Sequence, residues 1–319
     1  MAITATAEHT TVVTGADEPG KEVNKDQWNG TGAHSVAVVV EDNTLVAAKL
    51  AASATDVLFG RSTAAAGAGE EVACTAAGRA ILDDANAAAQ RATLAAFGTI
   101  TQRVYTSSDT WSKPANLIAV WVRVQAPGGG GGGADGGAGT GASAGGSGGG
   151  GGYSEKYILA AALGGTETVT IGAVGAAGTA SGGGNGGQGG TTSFGTHASC
   201  TGGLGGTGDA APTTVTTVTP GGDGGVGSSG NVNINGQAGG WGFANGLAGH
   251  DFSTSGVGGS AVLGGGALAV TASGTFTTAG NNAGNYGGGG SGSALNDSST
   301  DQAGGTGGPG IIIVWEITP

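Results

Sequence analysis

Two short apolar runs enclose most of the second half of the chain. Residues 117–124 read LIAVWVRV, and residues 311–317 read IIIVWEI. Short runs rich in β-branched and aromatic residues are typical of buried strands. Each run carries a tryptophan, Trp121 or Trp315, and aromatic contact between neighbouring strands is stabilising. We therefore predict that these runs pair as the base of one domain, from which the intervening residues project.

Weaker strand patterns occur elsewhere. Residues 157–163 form an apolar run, and residues 166–171 alternate, with Val169 and Ile171 on one side. Residues 36–40 and 56–60 read as two further short strands in the first half of the chain.

The best helical pattern covers residues 75–97, where alanine dominates. Thr75 is suited to the N-cap and Gly98 to the position after the C-terminus. Apolar residues at alternating spacings of three and four predict a coiled-coil seam. Such a small seam buries little area alone, so we expect a parallel trimer; packing on strands of the same chain is the alternative. The predicted seam comprises Leu82, Ala85, Ala89, Ala92 and Ala96.

The glycine content changes the interpretation of the sequence after residue 127. Nine of the 75 glycines precede this position and 66 follow it, accompanied by a single basic residue, Lys156. Collagen would need glycine at every third position and abundant proline, and neither is found. A flexible linker is a second interpretation, but a linker has no need for interspersed strands.

The glycines recur as GGx triplets. Residues 183–191 read GGNGGQGGT, and similar triplets occupy residues 202–207, 221–226 and 304–309. In a polyproline II-like helix with three residues per turn, this repeat places every side chain on one edge and leaves the rest as bare backbone. We expect such helices to pack through backbone contacts. The residues expected to face solvent or flank the bundle are Asn185, Gln188, Thr191, Leu204, Thr207, Asp223, Val226, Thr306 and Pro309.

Charge and composition exclude several classes of partner. The net charge is −12, and no cluster of Lys and Arg could neutralise nucleic-acid phosphates or an anionic membrane. The chain shows no signal-peptide pattern at its start and no apolar stretch long enough for a membrane span, so we expect a soluble, cytosolically made protein.

No pattern indicates catalysis, a cofactor or a metal. Cys74 and Cys200 are best interpreted as small apolar core residues, and the four histidines are dispersed. Matches to GxGxxG are expected by chance in such a glycine-rich chain. We predict a protein that is not an enzyme. A glycan-cleaving spike would need a carboxylate pair in a groove, for which no candidate is visible.

The best candidates for binding are aromatic residues surrounded by amides and carboxylates. Aromatic rings stack on the C–H faces of sugars, and planar polar groups bind sugar hydroxyls. Alternatively, the same rings could form small cores that cap the glycine-rich part. The first candidate cluster is Trp241, Phe243, Asn245, His250, Asp251 and Phe252; the second is Asn281, Asn282 and Tyr286.

Several stretches resemble tail fibres of tailed bacteriophages. Residues 58–98 contain GRSTA, GRAILDDA and AAQRATL in the order of a module that recurs in such fibres. Residues 110–133, TWSKPANLIAVWVRVQAPGGGGGG, and residues 304–316, GGTGGPGIIIVWE, are similar to a glycine-rich C-terminal fibre domain. Residues 22–36 are similar to fibre N-termini.

This resemblance implies a homotrimeric fibre of the virion tail. Its N-terminus would bind phage tail or baseplate proteins, and its C-terminal domain would bind a host-surface receptor. The expected fold is mainly β and irregular, with a β and coiled-coil part followed by strands and polyglycine II-like helices. Alternatives are a purely structural connector of the tail or baseplate and, less favoured, an ice-binding protein. The predicted divisions are an attachment arm at 1–40, a trimerisation region at 41–108 and a receptor-binding domain at 109–319.

Overall fold

The computed structural model describes residues 57–60, 70–94, 98–247, 251–284 and 286–319. The chain divides into two compact units, Met1–Cys74 and Thr75–Pro319. The predicted arm at 1–40, including the strand at 36–40, lies outside the described residues. The described part is mainly β, as expected, with two short α-helices.

The helices and strands, in chain order, have the following bounds. They are β1 (Val57–Gly60), β2 (Glu70–Ala73), α1 (Ala76–Leu82), α2 (Ala87–Thr93), β3 (Thr99–Tyr105), β4 (Asp109–Ser112), β5 (Ala119–Gln125), β6 (Ala142–Ala144), β7 (Tyr153–Leu159), a 3-10 helix (Ala160–Ala162), β8 (Thr166–Thr170), β9 (Thr192–Phe194), β10 (Ala198–Cys200), β11 (Thr216–Thr219), β12 (Gly227–Ser228), β13 (Val232–Ile234), β14 (Gly242–Asn245), β15 (Phe252–Thr254), β16 (Thr271–Ser273), β17 (Thr277–Thr278), β18 (Ala294–Asn296) and β19 (Ile311–Thr318).

The first unit contains an antiparallel hairpin of β1 and β2, in which Val57 lies opposite Ala73. The strand predicted at residues 56–60 is thus present from Val57 onward.

The single long helix predicted for residues 75–97 is wrong. Thr75 is an N-cap, since its side chain accepts a hydrogen bond from Gly78 N at 3.1 Å, but the helix ends at Leu82. Asn86 then caps α2 by accepting from Ala89 N at 3.0 Å. Asp, Asp and Asn at positions 83, 84 and 86 favour caps over helix interiors, so a new helix starts here. The second helix, α2, ends at Thr93. Gly98 does not follow the end of a helix as predicted, and its N–H donates to Thr318 O.

The break also divides the predicted coiled-coil seam. Leu82 closes α1 and is exposed, and Ala85 lies in the connection between the helices. Ala89 and Ala92 lie in α2, and Ala96 lies outside the described residues. A continuous seam needs one uninterrupted helix, whereas the described seam residues lie on two short helices and the connection between them.

Two sheets form the base of the second unit. One sheet has the order β12-β10-β9-β8-β4, and the other has the order β13-β7-β5-β19-β3. The predicted pairing of the two apolar runs is confirmed: β5 and β19 are antiparallel, with Trp121 opposite Trp315 and ring centroids 5.6 Å apart. A side-chain core fills the base and includes Trp111, Val120, Val122, Phe194, Ile312 and Val314.

Twelve glycine-rich segments, counted within the described residues, run between the base and a second group of strands at the opposite end. We call these the lower and upper ends of the bundle. The segments lie almost wholly outside the named strands and helices, and consecutive segments run in opposite directions. Segments 1 to 12 are residues 126–134, 145–152, 172–179, 183–191, 201–209, 220–226, 236–241, 256–261, 264–270, 279–284, 287–293 and 302–310.

Backbone hydrogen bonds connect segment 1 to six neighbours with a period of three residues. Gly128 and Gly131 donate to segment 12, Gly129 and Gly132 donate to segment 2, and Gly130 and Gly133 donate to segment 4. These N···O distances are 2.8–3.0 Å. The carbonyls of segment 1 accept hydrogen bonds from segments 3, 5 and 11 with the same period of three residues. Its backbone groups are therefore paired in all directions around the segment axis.

Segments 2 and 11 have the same environment. Each exchanges backbone hydrogen bonds with six segments, and segments 1, 2 and 11 are mutual neighbours. All residues of these three inner segments are buried. The other nine surround them in the order 3, 4, 5, 6, 7, 8, 9, 10, 12. Close packing of nine around three gives a triangular outline with three flat faces, formed by segments 4-5-6, 7-8-9 and 10-12-3.

Side chains of the GGx triplets point away from this bundle. Of the nine residues expected to face solvent, Thr306 is half-buried and the other eight are exposed. At the inner positions a side chain has no room: a Cβ on Gly130 would overlap the backbone oxygen of Ala176, and one on Gly129 would overlap that of Leu204. Glycine at these positions is required by space.

Two sheets cap the upper end, with orders β11-β14-β15-β16 and β17-β18-β6. The first continues the bundle directly, because β11 precedes segment 6, β14 follows segment 7, β15 precedes segment 8 and β16 follows segment 9. Small residues pack between the sheets, including Ala142, Ala144 and Ala244.

Candidate functional site

The candidate site is the outer side of the upper sheet formed by β11, β14, β15 and β16. Strand alternation places Phe243 and Asn245 on this side, opposite Thr254 and Phe252 of β15, respectively. Ala244 and Ser253 face the other way and are buried. Ser253 Oγ donates to Leu295 O at 2.8 Å, which holds the sheet on the strands beneath it.

The aromatic rings on this side are accessible to solvent. Trp241 ends segment 7 and is 70% exposed, and Phe252 is 39% exposed. Phe243 is half-buried, with its ring centroid 6.1 Å from that of Phe252. These exposures contradict the alternative in which the rings form a small core. Grouped exposed rings on a surface are typical of binding sites.

Polar groups border the rings. The Asn245 Oδ1 atom accepts a hydrogen bond from Leu247 N at 3.3 Å, which orients the amide. Asp251 directly precedes β15 and is half-buried. His250 lies outside the described residues. The structure thus brings together Trp241, Phe243, Asn245 and Phe252 of the first predicted cluster.

The second predicted cluster does not form a comparable site. Asn281 Nδ2 donates to Leu268 O at 3.0 Å, and Asn282 Oδ1 accepts from Thr306 N at 2.8 Å. Both amides therefore connect segment 10 to neighbouring segments. Tyr286 is half-buried in the turn that leads to segment 11. Asn281 and Asn282 are both exposed, and their amides also connect neighbouring segments of the bundle.

Further apolar residues extend the exposed surface beyond the predicted set. Val218 lies opposite Phe243 on β11, and Val257 and Leu268 lie on segments 8 and 9; all three are exposed. Sequence reasoning missed them because each is an isolated apolar residue. The available signal was the triplet pattern itself, which predicts that a lone large residue among glycines points outward.

The electrostatic environment of the upper end is acidic. Its described residues include Asp135, Asp209, Asp297 and Asp301 but no Lys or Arg. Burial raises the pKa of the Asp209 carboxyl, opposed by the hydrogen bond from Ala144 N at 3.1 Å. A negative surface is unfavourable for phosphate and other anions and leaves neutral or cationic ligands as the better fit.

Buried polar side chains within the bundle and the base connect neighbouring segments, and sequence reasoning missed them too. Ser147 Oγ accepts from Gly292 N at 3.1 Å and donates to Gly256 O at 2.5 Å. Gln125 Nε2 donates to Gly151 O at 3.0 Å, and its Oε1 accepts from Leu263 N at 3.3 Å. These side chains join the inner segments to the base and to the outer ring.

The titratable side chains and the helices of the described part of the chain bear on metal and membrane binding. There, His, Cys, Asp and Glu do not form a group of three or more that could hold a metal ion. None of the described helices combines the length and apolar character needed to cross a bilayer. Cys200 is buried in the base, and burial raises the pKa of its thiol to about 12.

Comparison with known proteins assigns a family to most of the second unit. The model of the glycine-rich domain family matches residues 101–315, which is more than half of the 319 residues. The chain belongs to this glycine-rich domain family. The match covers most of the base, the twelve segments and the upper sheets. A search of the curated proteins found no match.

Proposed function

We propose that this glycine-rich protein is a tail fibre or receptor-binding protein of a tailed bacteriophage, located in the virion tail, that attaches the particle to the host surface. The observation that carries the proposal is the exposed aromatic face at the upper end. The chain enters the domain through β3 and leaves through β19, both in the base. An exposed binding face at the end remote from the point of attachment suits a protein that contacts another cell.

The ligand class that fits the face best is a neutral surface glycan. Trp241 and Phe252 provide open rings for the C–H side of a sugar, and Asn245 provides an amide beside them. The lack of cations at the described upper end disfavours strongly anionic polysaccharides. A protein component of the host outer membrane is the second receptor class that such a face could bind. The proposed role requires binding alone and no cofactor or catalysis.

We further propose that the twelve segments are polyglycine II-like helices. The three-residue rotation of hydrogen bonds and the six neighbours of each inner segment support this geometry. A backbone bundle would hold the upper face on a rigid support. The loops and the third residues of the GGx triplets could then vary in sequence without disturbing the inner glycines.

The remaining parts of the proposal concern assembly. The resemblance of residues 22–36 and 58–98 to fibre sequences supports a homotrimer whose N-terminal part binds tail or baseplate proteins. A structural connector without receptor binding would use the same assembly, and it is the principal competing function.

The deciding experiment is adsorption of the purified, fluorescently labelled full chain to a panel of bacterial strains and to immobilised, extracted surface polysaccharides. We expect binding to particular strains, about fivefold weaker after Trp241→Ala or Phe252→Ala, because a stacked ring contributes roughly 1 kcal/mol. Leu204→Ala is the matched control, since Leu204 is similarly exposed on a different face.

Two results would count against receptor binding. If no strain or polysaccharide binds while the protein still assembles with tail components, the connector function replaces the proposal. If binding occurs but the ring variants behave like the Leu204 control, the receptor surface lies elsewhere.

A further inference from the structure

A second exposed surface lies on the base, on the outer side of the sheet β13-β7-β5-β19-β3. Strand alternation directs Val120, Val122 and Val124 of β5 into the base core, so the residues between them face outward. The pairing registers place the outward residues of all five strands on one side. We call this surface the base face.

The base face is unusually apolar for a solvent-exposed surface. Its principal members are between 43% and 59% exposed. Five strands spaced ~4.8 Å apart and about six residues long cover on the order of 500 Å² in projection. This area includes Gln102, Arg123 and Glu155, but most of its side chains are apolar, and large exposed apolar patches commonly mark interfaces. The exposed members are Ile100, Val104, Trp121, Tyr157, Val232 and Ile234.

Charged groups at the centre of the base face are already paired. The Arg123 guanidinium lies 5.6 Å from the Trp121 ring centroid and 5.5 Å from that of Trp315. Its Nε atom is 3.1 Å from Glu155 Oε2, and Trp121 Nε1 donates to Glu155 Oε1 at 2.9 Å. With these charges compensated, the face meets an apolar protein surface better than it meets a sugar, which needs free polar partners.

The charge distribution identifies the partner. Residues 98–319 contain ten acidic and four basic side chains. Two of the basic ones, Lys113 and Lys156, donate to backbone carbonyls. Most surfaces therefore repel a second copy of the chain, whereas the base face is neutral and can contact another base face without electrostatic cost.

The two short helices that precede this sheet in the chain bury little surface of their own. None of the residues of α1 is buried, and Leu94, just after α2, is exposed. Seven-residue helices are marginal in isolation. The helix α2 is followed within a few residues by β3 of the base-face sheet. Association of two copies would therefore stabilise both this short helix and the exposed sheet.

We propose that the base face is the surface through which copies of this chain associate. A second copy covers the exposed β-branched and aromatic side chains around Trp121 and Tyr157. This inference rests on the homotrimer of the proposed function, for which it names the contact surface, and it is independent of receptor binding. If base-face variants associate like the wild type, the inference fails while the homotrimer stands. It also replaces the interrupted helical seam as the main apolar contact between copies.

The test is light scattering on the full chain over a dilution series. We expect a mass that is a multiple of the 29.6 kDa chain at high concentration and that falls towards one chain on dilution. Val104→Glu and Tyr157→Glu should shift the protein to a single chain at concentrations where the wild type is associated. Val226→Glu is the matched control, because Val226 is half exposed on the bundle surface.

Hydroxyl-radical footprinting resolved to peptides identifies what covers the face. If oxidation of Trp121 and Tyr157 rises on dilution, in parallel with the loss of mass, the proposal is supported. A single-chain mass at every concentration, or base-face variants that associate like Val226→Glu, would overturn it. Protection of Trp121 that is independent of concentration would assign the cover to residues of the same chain and would also overturn it.

Discussion

The base and the glycine-rich bundle bury their backbones in different ways. In the base, two sheets are held apart by side chains, with the Trp111 and Phe194 ring centroids 5.6 Å apart in the core. In the bundle, three inner segments contact their neighbours mainly through backbone hydrogen bonds, to which a few serine hydroxyls such as that of Ser147 add. Successive backbone groups are paired with different neighbours in turn. Burial of apolar area stabilises the first region, whereas complete hydrogen bonding of a buried backbone is the condition for the second.

The bundle should tolerate substitutions in its interior less well than the base does. A side-chain core tolerates some change in volume, because neighbouring side chains adopt other rotamers. The bundle has no such freedom, since the atoms nearest to a new Cβ are backbone oxygens held by their own hydrogen bonds. Glycine is costly to order, so the bundle must keep nearly all of its bonds to remain folded.

The largest expected effect is therefore that of adding one methyl group to an inner segment. Gly130→Ala places a Cβ against the backbone oxygen of Ala176 and should destabilise the domain by more than about 5 kcal/mol, measured by denaturant unfolding. Gly165→Ala is the matched control: nothing lies within 4 Å of its Cβ position, and its effect should stay within about 0.5 kcal/mol. Similar stabilities for the two variants would refute a backbone-packed interior.

A large deletion in the base should have the next largest effect. Trp111 is fully buried, and its Nε1 donates to Glu316 Oε1 at 2.8 Å. Trp111→Ala should cost about 3–5 kcal/mol, because it leaves a cavity and removes one of the two hydrogen bonds to Glu316 Oε1, the other being donated by Arg103 Nε. Trp241→Ala, the same substitution at an exposed ring, should remain within about 0.5 kcal/mol. An equal loss in both variants would mean that Trp241 belongs to the core.

The smallest expected effect is a difference in how acid changes the stability of the base and of the upper end. Burial raises the pKa of Glu155, but hydrogen bonds from Tyr153, Arg123 and Trp121 outweigh it and lower the pKa overall. The ionised Glu155 therefore stabilises the base, and this contribution is lost as the pH falls below about 4.5 and through the lowered pKa. Asp209 at the upper end has a raised pKa, caused first by burial, so its protonation on acidification favours the folded state.

Thermal unfolding at a series of pH values checks these signs. Glu155→Gln should be less stable than wild type at neutral pH, and the gap should narrow in acid. Asp209→Asn should show the opposite trend, with its relative stability greatest at neutral pH. Parallel pH profiles for wild type and both variants would show that neither carboxyl group is linked to folding.

The sequence predicts correctly those parts in which the type of a single side chain indicates whether it is buried, paired across strands or exposed to solvent. Trp121 and Trp315 indicated the pairing of β5 with β19, and Asn185, Gln188 and Leu204 marked the solvent edge of outer segments. The grouping of Trp241 with Phe243 and Phe252 followed from their proximity in an aromatic-poor region.

Other features were missed because they depend on what surrounds a residue. The long helix failed at Asp83 and Asn86, whose capping preference competes with the alanine-rich pattern. The inner segments were not predicted, although GGx and uninterrupted glycine differ in a useful way. A triplet leaves one edge for a side chain and fits the surface, whereas residues 128–133 leave none and fit a position enclosed on all sides.

Hydrogen exchange with residue-level resolution would show whether the inner glycines form a packed interior. We expect the amides of Gly129 to Gly132 and Gly146 to Gly150 to be among the slowest to exchange in the chain, as slow as those of Val122 and Val314 in the base. Exchange of these glycine amides at the rate of an unstructured peptide, with β5 and β19 still protected, would contradict a packed interior.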